Sequence, residues 1–155
     1  MSEIELIKIN SENWREALAL SVHVEQQEFV ASVTPPVAIA LAKAYIRPDG
    51  RVVEPYGIYN EKQMVGFFNL HYAPESKEDY WLFHFFIDKG FQRSGIGSKA
   101  LNELFKHIKQ THPSCHRLRL TVHPENDAGK LFYIKLGFKD DSILTFGEPT
   151  YSKYI

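Results

Sequence analysis

A stretch in the middle of the chain, Tyr80–Asp88, reads YWLFHFFID and is almost continuously apolar and aromatic. Such residues favour β-strands, and a strand without polar alternation is typical of one that is buried on both faces. A strand of this kind needs neighbouring strands and further layers above and below it. The segment therefore predicts a central strand in a layered domain.

The rest of the chain predicts strands and helices around this centre. Strands are predicted over Ile4–Ile9, Pro55–Tyr59, Met64–Tyr72, His116–Val122, Phe138–Lys139 and Thr150–Tyr154. Helices are predicted from an N-cap at Ser11 through Val22, and over Val37–Ile46, Ser98–Gln110 and Asn126–Leu136. A mixed sheet with helices on both faces is the simplest arrangement of this order. The length of 155 residues suits a single domain, 1–155.

The two halves of the chain carry net charges of opposite sign. The net charge is −1, so nothing in the composition indicates a nucleic-acid partner. Residues 1–78 carry a net charge of −4 and residues 79–155 one of +3. A basic C-terminal half favours a phosphorylated ligand and an acidic N-terminal half favours a cationic substrate, although chance asymmetry on a solvated surface is the alternative.

The number of cysteines and the length of the apolar runs indicate the cellular compartment to expect. Cys115 is the only cysteine, so no internal disulfide can form, which permits a reducing cytosol. The stretch Met1–Glu5 lacks the basic and apolar regions of a signal peptide, and the apolar runs are too short to span a bilayer. We therefore expect a cytoplasmic protein without membrane partners.

The central strand is followed by a turn with two glycines, Gly95 and Gly97, and then by the amphipathic helix Ser98–Gln110. Glycine lets the backbone approach a ligand closely, and a helix N-terminus presents unpaired N–H groups and the positive end of the helix dipole. Together they predict a pyrophosphate site with the Arg93 guanidinium at its mouth. A helix start without any ligand is the alternative. Neither a P-loop nor a complete dinucleotide-binding fingerprint is present.

The predicted helix Asn126–Leu136 carries two polar side chains that share a face. Asn126 and Tyr133 are seven residues apart, which is about two helical turns. The asparagine can donate and accept hydrogen bonds to an amide-containing ligand, and the tyrosine hydroxyl can give a proton to a leaving group. A helix with a buried tyrosine and an N-capping asparagine is the alternative.

These two segments, in this order, resemble the GNAT acetyltransferase superfamily. The pyrophosphate motif Q/R-x-x-G-x-G/A is matched by Gln92–Gly97, and the later motif N-x-x-A-x-x-L/F-Y-x-x-x-G-F is approximated by Asn126–Phe138. The resemblance covers at least residues 55–139. It implies an α/β (α+β) GNAT-like single domain with a mixed, mostly antiparallel sheet of about six to seven strands and helices on both faces. Within the superfamily the chain is similar to bacterial spermine/spermidine acetyltransferases, on the segments Gln27–Ser32, Pro55–Tyr59, Met64–Phe67, Trp81–Leu82 and Phe85–Asp88.

The resemblance implies transfer of an acetyl group from acetyl-CoA to a primary amine of a small polyamine, such as spermine or spermidine, by direct attack in a ternary complex. Backbone groups of Phe86 and Ile87 would hold the pantetheine arm, and Tyr133 would lie near the sulfur as general acid. The cofactor-binding residues that it implies are Phe86, Ile87, Gln92, Arg93, Ser94, Gly95, Ile96, Gly97, Ser98, Asn126 and Tyr133.

The general base does not follow from the resemblance. Relatives that act on polyamines often carry an acidic residue just before the phenylalanine pair, where this chain has Phe83 and His84. His84 is a candidate base because imidazole titrates near neutrality; in a regular strand it would alternate with Phe83 and Phe85, and a hydrogen-bonded structural histidine is the alternative. The candidates for an acidic wall that holds a cationic substrate are Glu25, Glu28 and Glu54, each of which is otherwise an ordinary surface carboxylate.

Other functions remain open on the sequence. The Asn126–Phe138 motif also allows a peptide or protein acetyltransferase that acts on an N-terminus or a lysine, and the missing strand carboxylate allows a non-catalytic acyl-CoA-binding module. The histidines lack metal-ligand spacing, so no metal is expected, and the position of Cys115 argues against an acetyl-cysteine intermediate. Exposed aromatic residues and an edge strand are compatible with a homodimer.

Overall fold

The computed structural model describes residues 3–155, so the first two residues of the stretch Met1–Glu5 lie outside it. The described residues form a seven-stranded sheet in the order β1-β2-β3-β4-β5-β7-β6. The strands are β1 (Ile4–Lys8), β2 (Val52–Asn60), β3 (Gln63–Tyr72), β4 (Tyr80–Ile87), β5 (Arg117–Thr121), β6 (Lys139–Thr145) and β7 (Glu148–Tyr154). Every neighbouring pair is antiparallel except β4 and β5, which are parallel. The mixed, mostly antiparallel sheet expected from the sequence is confirmed.

Helices cover both faces of this sheet, as expected. They are α1 (Trp14–Leu18), α2 (Gln27–Val30), α3 (Pro36–Ile46), α4 (Ile96–Thr111) and α5 (Asp127–Lys135), with short 3₁₀ turns at Val24–Gln26 and Lys89–Phe91. The larger buried cluster includes Leu101 and Leu104 of α4, packed with Phe68 and Leu82 of the sheet. A smaller cluster on the other face joins α1 and α3 to Phe67 and Phe86. None of the helices within residues 3–155 is long and apolar enough to cross a membrane.

Two predicted elements differ from the structure by more than three residues at one end. The first helix begins at Trp14, not after an N-cap at Ser11, and it ends before Val22. Asn10 and Asn13 form a side-chain-bonded turn ahead of it: the Asn10 N–H donates to Asn13 Oδ1 (2.7 Å), and Asn10 Oδ1 accepts from the Glu12 N–H (2.8 Å). Asparagine favours such turns over helical backbone.

The other error concerns the first closing strand, predicted as Phe138–Lys139, which is Lys139–Thr145 in the structure. Its pairing with β7 is irregular between Asp140 and Leu144. This irregularity, together with exposed polar residues, hides the alternation by which a strand is recognised in a sequence.

A bulge in β4 separates that strand from β5. His84 has φ +56°, and the register with β3 shifts so that Phe86 pairs with Phe67 while Phe83 pairs with Asn69. The pairing of β4 with β5 ends where Leu82 meets Leu120. Beyond this point the two strands are no longer paired, and we call the opening the β4–β5 cleft, bordered by residues 83–87 of β4 and by Thr121 and Val122.

Candidate active site

Two cavities meet at the β4–β5 cleft. One, of about 570 Å³, is bordered by the Gln92–Ser98 turn and is called the turn cavity. The other, of about 770 Å³, is bordered by α2 and the start of β7 and is called the wide cavity. Five residues border both cavities and so mark the boundary between them: Phe29, Val30, Phe85, Asn126 and Tyr133. A molecule that occupies the turn cavity can therefore meet one in the wide cavity at this boundary.

The Gln92–Ser98 turn presents unpaired backbone donors to the turn cavity. Arg93 and Gly95 both take positive φ values, of 63° and 81°. The hydrogen bonds of α4 begin with the Lys99 N–H, which donates to the Gly95 carbonyl (3.2 Å). The N–H groups of Ile96, Gly97 and Ser98 therefore have no protein acceptor within residues 3–155. Because α4 runs for 16 residues, its dipole adds positive potential at the same place.

The side chain of Gln92 holds the turn in place. Its Nε2 donates to the Ile87 carbonyl (2.9 Å) and to Gln26 Oε1 (3.0 Å), while Gln26 Nε2 donates back to Gln92 Oε1 (3.1 Å). Its amide is thus engaged within the protein, and only the backbone of Gln92 is open to a ligand. The Arg93 side chain is exposed at the edge of the turn cavity. Sequence reasoning missed Gln26, which lies far from the motif along the chain.

Of the two residues expected to present backbone groups to the cleft, one does so. The Asp88 N–H donates to the Val65 carbonyl (2.7 Å), and Phe86 lies opposite Phe67. In an antiparallel ladder only every second residue hydrogen-bonds to the neighbouring strand, so the backbone of Phe86 faces β3 and that of Ile87 points away from it. Phe86 also borders the turn cavity, but its backbone faces β3 and its side chain is buried in the smaller cluster, so its backbone groups are not presented to the cleft. Ile87 offers its N–H to the cleft.

Asn126 caps helix α5. Its Oδ1 accepts a hydrogen bond from the Gly129 N–H (3.0 Å), which is the capping role that the sequence left as an alternative. The amide nitrogen of the same side chain has no acceptor among the described residues. Since Asn126 also borders both cavities, this nitrogen is available to a ligand that passes the boundary.

The hydroxyl of Tyr133 is free at the boundary of the cavities. Its ring packs edge-on against Phe132 and Phe138, with centroid distances of 5.2 and 5.6 Å. No residue within 3–155 hydrogen-bonds its Oη. Burial raises the pKa of the Tyr133 phenol above its ordinary value, so the hydroxyl keeps its proton at neutral pH. A protonated, unpartnered donor at this position can give its proton to a group bound in the cleft.

The contacts of His84 occupy both of its ring nitrogens. Nδ1 lies 2.8 Å from the Val30 carbonyl, so it carries the proton, and Nε2 lies 3.0 Å from Lys43 Nζ and accepts from it. Burial, with a smaller contribution from the Lys43 charge, lowers the pKa of His84 to about 4 against the opposing hydrogen bond to Val30. The imidazole is therefore neutral, and the atom that would take a proton already accepts one from Lys43. These contacts are those of a structural histidine, and they leave no free lone pair for a general base.

The predicted carboxylates are only partly brought together. Glu25 and Glu28 border the wide cavity, where both are exposed. Glu54 does not border it: its carboxylate accepts from the hydroxyls of Tyr56 (3.2 Å) and Tyr72 (2.9 Å). Two further charged residues that sequence reasoning missed, Lys43 and Glu148, line the wide cavity.

Ser94, which the resemblance implies as a cofactor-binding residue, and Cys115 border neither cavity. Cys115 is buried in the larger cluster, and burial raises the pKa of its thiol. Within residues 3–155 no group of three histidine, cysteine, aspartate or glutamate side chains is arranged to hold a metal ion.

The chain belongs to the acetyltransferase (GNAT) family, which residues 13–138 match. Two proteins of Bacillus subtilis are similar to it along most of their length. A probable spermine N(1)-acetyltransferase of subspecies natto (strain BEST195) is 31% identical over 135 residues, which cover 84% of this chain and 85% of the relative. A spermine/spermidine N(1)-acetyltransferase of strain 168 is 30% identical over the same shares of both chains. The chain is therefore an acetyltransferase.

Solved structures share the fold at low sequence identity. A PaiA N-acetyltransferase from Thermoplasma acidophilum in complex with coenzyme A has a TM-score of 0.70, with 17% identity over 99% of both chains. An acetyltransferase from Salmonella typhimurium that modifies the N-terminal serine of ribosomal protein L7/L12 has a TM-score of 0.73, with 17% identity over 98% of this chain and 95% of that chain. The fold thus occurs in an enzyme whose acceptor is a protein N-terminus.

Proposed function

We propose that this acetyltransferase transfers the acetyl group of acetyl-CoA to a primary amine of a small polyamine, such as spermine or spermidine, by direct attack in a ternary complex. The observation that carries the proposal is the free Tyr133 hydroxyl at the boundary of two cavities. One cavity has the backbone donors that a pyrophosphate requires, and the other is bordered by carboxylates suited to cations. Support for polyamines in particular comes from the names of the two Bacillus relatives.

The donor side of the reaction rests on the turn cavity. The free N–H groups of Ile96, Gly97 and Ser98 suit a diphosphate, with Arg93 at the edge. The Asn126 amide nitrogen and the Ile87 N–H lie further along, where an amide-bearing arm would run. A backbone N–H of β4 would polarise the thioester carbonyl, an effect worth several kcal/mol in acyl transfer. Tyr133 would donate its proton to the departing sulfur.

The acceptor must lose a proton before it reacts. An alkyl ammonium with a pKa near 10.4 carries its proton almost completely at pH 7, and freeing the lone pair costs about 4.6 kcal/mol. The free amine attacks the carbonyl carbon, and the carbon–sulfur bond breaks. The nitrogen then loses its second proton, which replaces the proton that Tyr133 gives to sulfur. The first proton leaves through the wide cavity to solvent. Carboxylates at the rim, Glu25 and Glu28, would hold the remote charges of the substrate.

An assay of thiol release with acetyl-CoA tests the proposal. The acceptors are spermine, spermidine, an aminoglycoside and peptides with a free N-terminus or a lysine. We expect turnover with the polyamines at the lowest KM. Turnover with peptides alone would replace the polyamine assignment by peptide acetylation, and tight binding of coenzyme A without turnover of any amine would make the chain a binding module.

A further inference from the structure

Glu148 places a carboxylate beside the β4–β5 cleft. It is the first residue of β7, and its Oε1 accepts a hydrogen bond from the Thr121 hydroxyl (2.9 Å). Thr121 directly follows Leu120, the last residue of β5 that pairs with β4. The threonine therefore holds the carboxylate at the point where the two strands part. The side chain borders the wide cavity.

One oxygen of this carboxylate is left for a ligand. Oε2 has no hydrogen-bond partner among the residues that the structure describes, and no lysine or arginine in that part of the chain forms an ion pair with Glu148. The residue is half-buried, so its charge is less screened than that of the exposed rim residues Glu25 and Glu28. A half-buried carboxylate with one tethered and one open oxygen is suited to receive a cation.

The other charges of the cavity direct a cation towards Glu148. Lys43, on α3, lines the same cavity, where its ammonium donates to His84 Nε2 (3.0 Å) and lies over the Phe83 ring (5.6 Å). No carboxylate within residues 3–155 forms an ion pair with Lys43, and Asp49 interacts with its charge only from a greater distance, so this charge also acts on the cavity. A cationic acceptor in this cavity is therefore repelled by Lys43 and attracted by Glu148.

We propose that Glu148 binds the ammonium group of the acceptor amine at the β4–β5 cleft, and that it supplies from β7 the carboxylate that β4 lacks. The inference rests on the proposed function and concerns the recognition of a cationic acceptor. Thr121 is a positioning residue, because it acts by fixing the carboxylate. Glu148 would thus decide which amines enter and where the reacting nitrogen waits.

The test compares Glu148→Gln with wild type in the thiol-release assay, with Glu5→Gln as the control, since Glu5 is an exposed strand glutamate on β1 at the opposite edge of the sheet. We expect Glu148→Gln to raise the KM for spermidine by about 10- to 150-fold, the range for loss of a hydrogen bond between charged groups. Glu148→Asp should recover part of this loss, and Thr121→Val should raise KM by a smaller factor. Coenzyme A affinity by calorimetry should stay at the wild-type value.

The outcomes separate this inference from the proposed function. If wild type acetylates spermidine and Glu148→Gln has the same KM as Glu5→Gln, Glu148 is not the ammonium site although the proposed function stands. If only peptides are turned over, the polyamine assignment fails, and equal KM values of Glu148→Gln and Glu5→Gln for the best peptide would overturn the inference as well. A loss of coenzyme A affinity equal to the loss of activity would show a structural role and overturn the inference, as would the absence of turnover with every amine.

Discussion

Replacing Gly95 tests whether the turn before α4 is a binding site. Gly95 has φ +81°, and a Cβ added there would meet no atom within 4 Å. Alanine therefore fits in space and is disfavoured only by the left-handed backbone, which costs roughly 1–2 kcal/mol. At a urea dependence of about 2 kcal/mol per molar, the unfolding midpoint should fall by about 0.5–1 M.

The chain contains a matched control for this backbone cost. Gly50, in the loop before β2, has φ +74° and likewise no atom within 4 Å of an added Cβ, and it borders neither cavity. Gly50→Ala should therefore lose about the same stability as Gly95→Ala. Of the two glycines only Gly95 borders one of the two cavities.

Coenzyme A affinity distinguishes the two variants. If relaxation of φ at residue 95 turns even one N–H away from a phosphate, the loss of about 1.5–3 kcal/mol for a hydrogen bond to a charged group raises Kd by about 10- to 150-fold. We expect this increase by titration calorimetry for Gly95→Ala, and a wild-type Kd for Gly50→Ala. Equal affinities in the two variants, at equal losses of stability, would refute the assignment of the pyrophosphate to this turn.

Three further variants probe other parts of the site and its surroundings. Tyr133→Phe should lower kcat by about 10²- to 10⁴-fold with little change in coenzyme A affinity, because it removes only the proton donor; an unchanged kcat would remove the acid role. Gln26→Ala removes two hydrogen bonds to Gln92 and should raise the Kd for coenzyme A about 2- to 10-fold by calorimetry, whereas a wild-type Kd would mean that the turn needs no such support. Burial, aided by the Lys43 charge, lowers the pKa of His71 to about 3, below its value near 6.5 in the unfolded chain. The stabilisation that His71 gives the folded state is therefore complete above pH 6.5 and is lost as the pH falls. Between pH 6.5 and 5 the free energy of unfolding, measured with urea, should fall by about 2 kcal/mol from this residue. His71→Gln should flatten this pH dependence, and an equal slope in both proteins would contradict the role of His71.

The parts of the site that the sequence predicted are those that local chemistry determines. The turn before α4 could be found because two glycines and an amphipathic stripe lie within a few residues of one another. Asn126 and Tyr133 could be placed on one face because helical spacing alone determines it. In the structure the turn before α4 borders the turn cavity, and Asn126 and Tyr133 border both cavities.

The residues that the sequence missed are brought in by long-range pairing. Glu148 lay outside the predicted strand Thr150–Tyr154, so nothing indicated that β5 would place Thr121 against it. Lys43 lies on a helix whose packing on the sheet decides where its ammonium points. Glu54 shows the converse error. Its charge suggested a substrate contact, but in the folded sheet its carboxylate accepts hydrogen bonds from two tyrosine hydroxyls.

The bulge at His84 could not be read from the sequence, because β4 is apolar along both faces. Where both faces are buried, a period of two does not reveal which residues point to which side, and an extra residue leaves no trace in the pattern. Before the bulge Tyr80 and Leu82 contact the larger cluster, and after it Phe85 and Ile87 do so. The positive φ at His84 is unfavourable for a residue with a side chain, and its ring bonds to Val30 and Lys43 stabilise it there. The candidate base His84 thus marks the point where the side chains of β4 reverse direction, and this reversal brings Phe85 to the boundary between the two cavities.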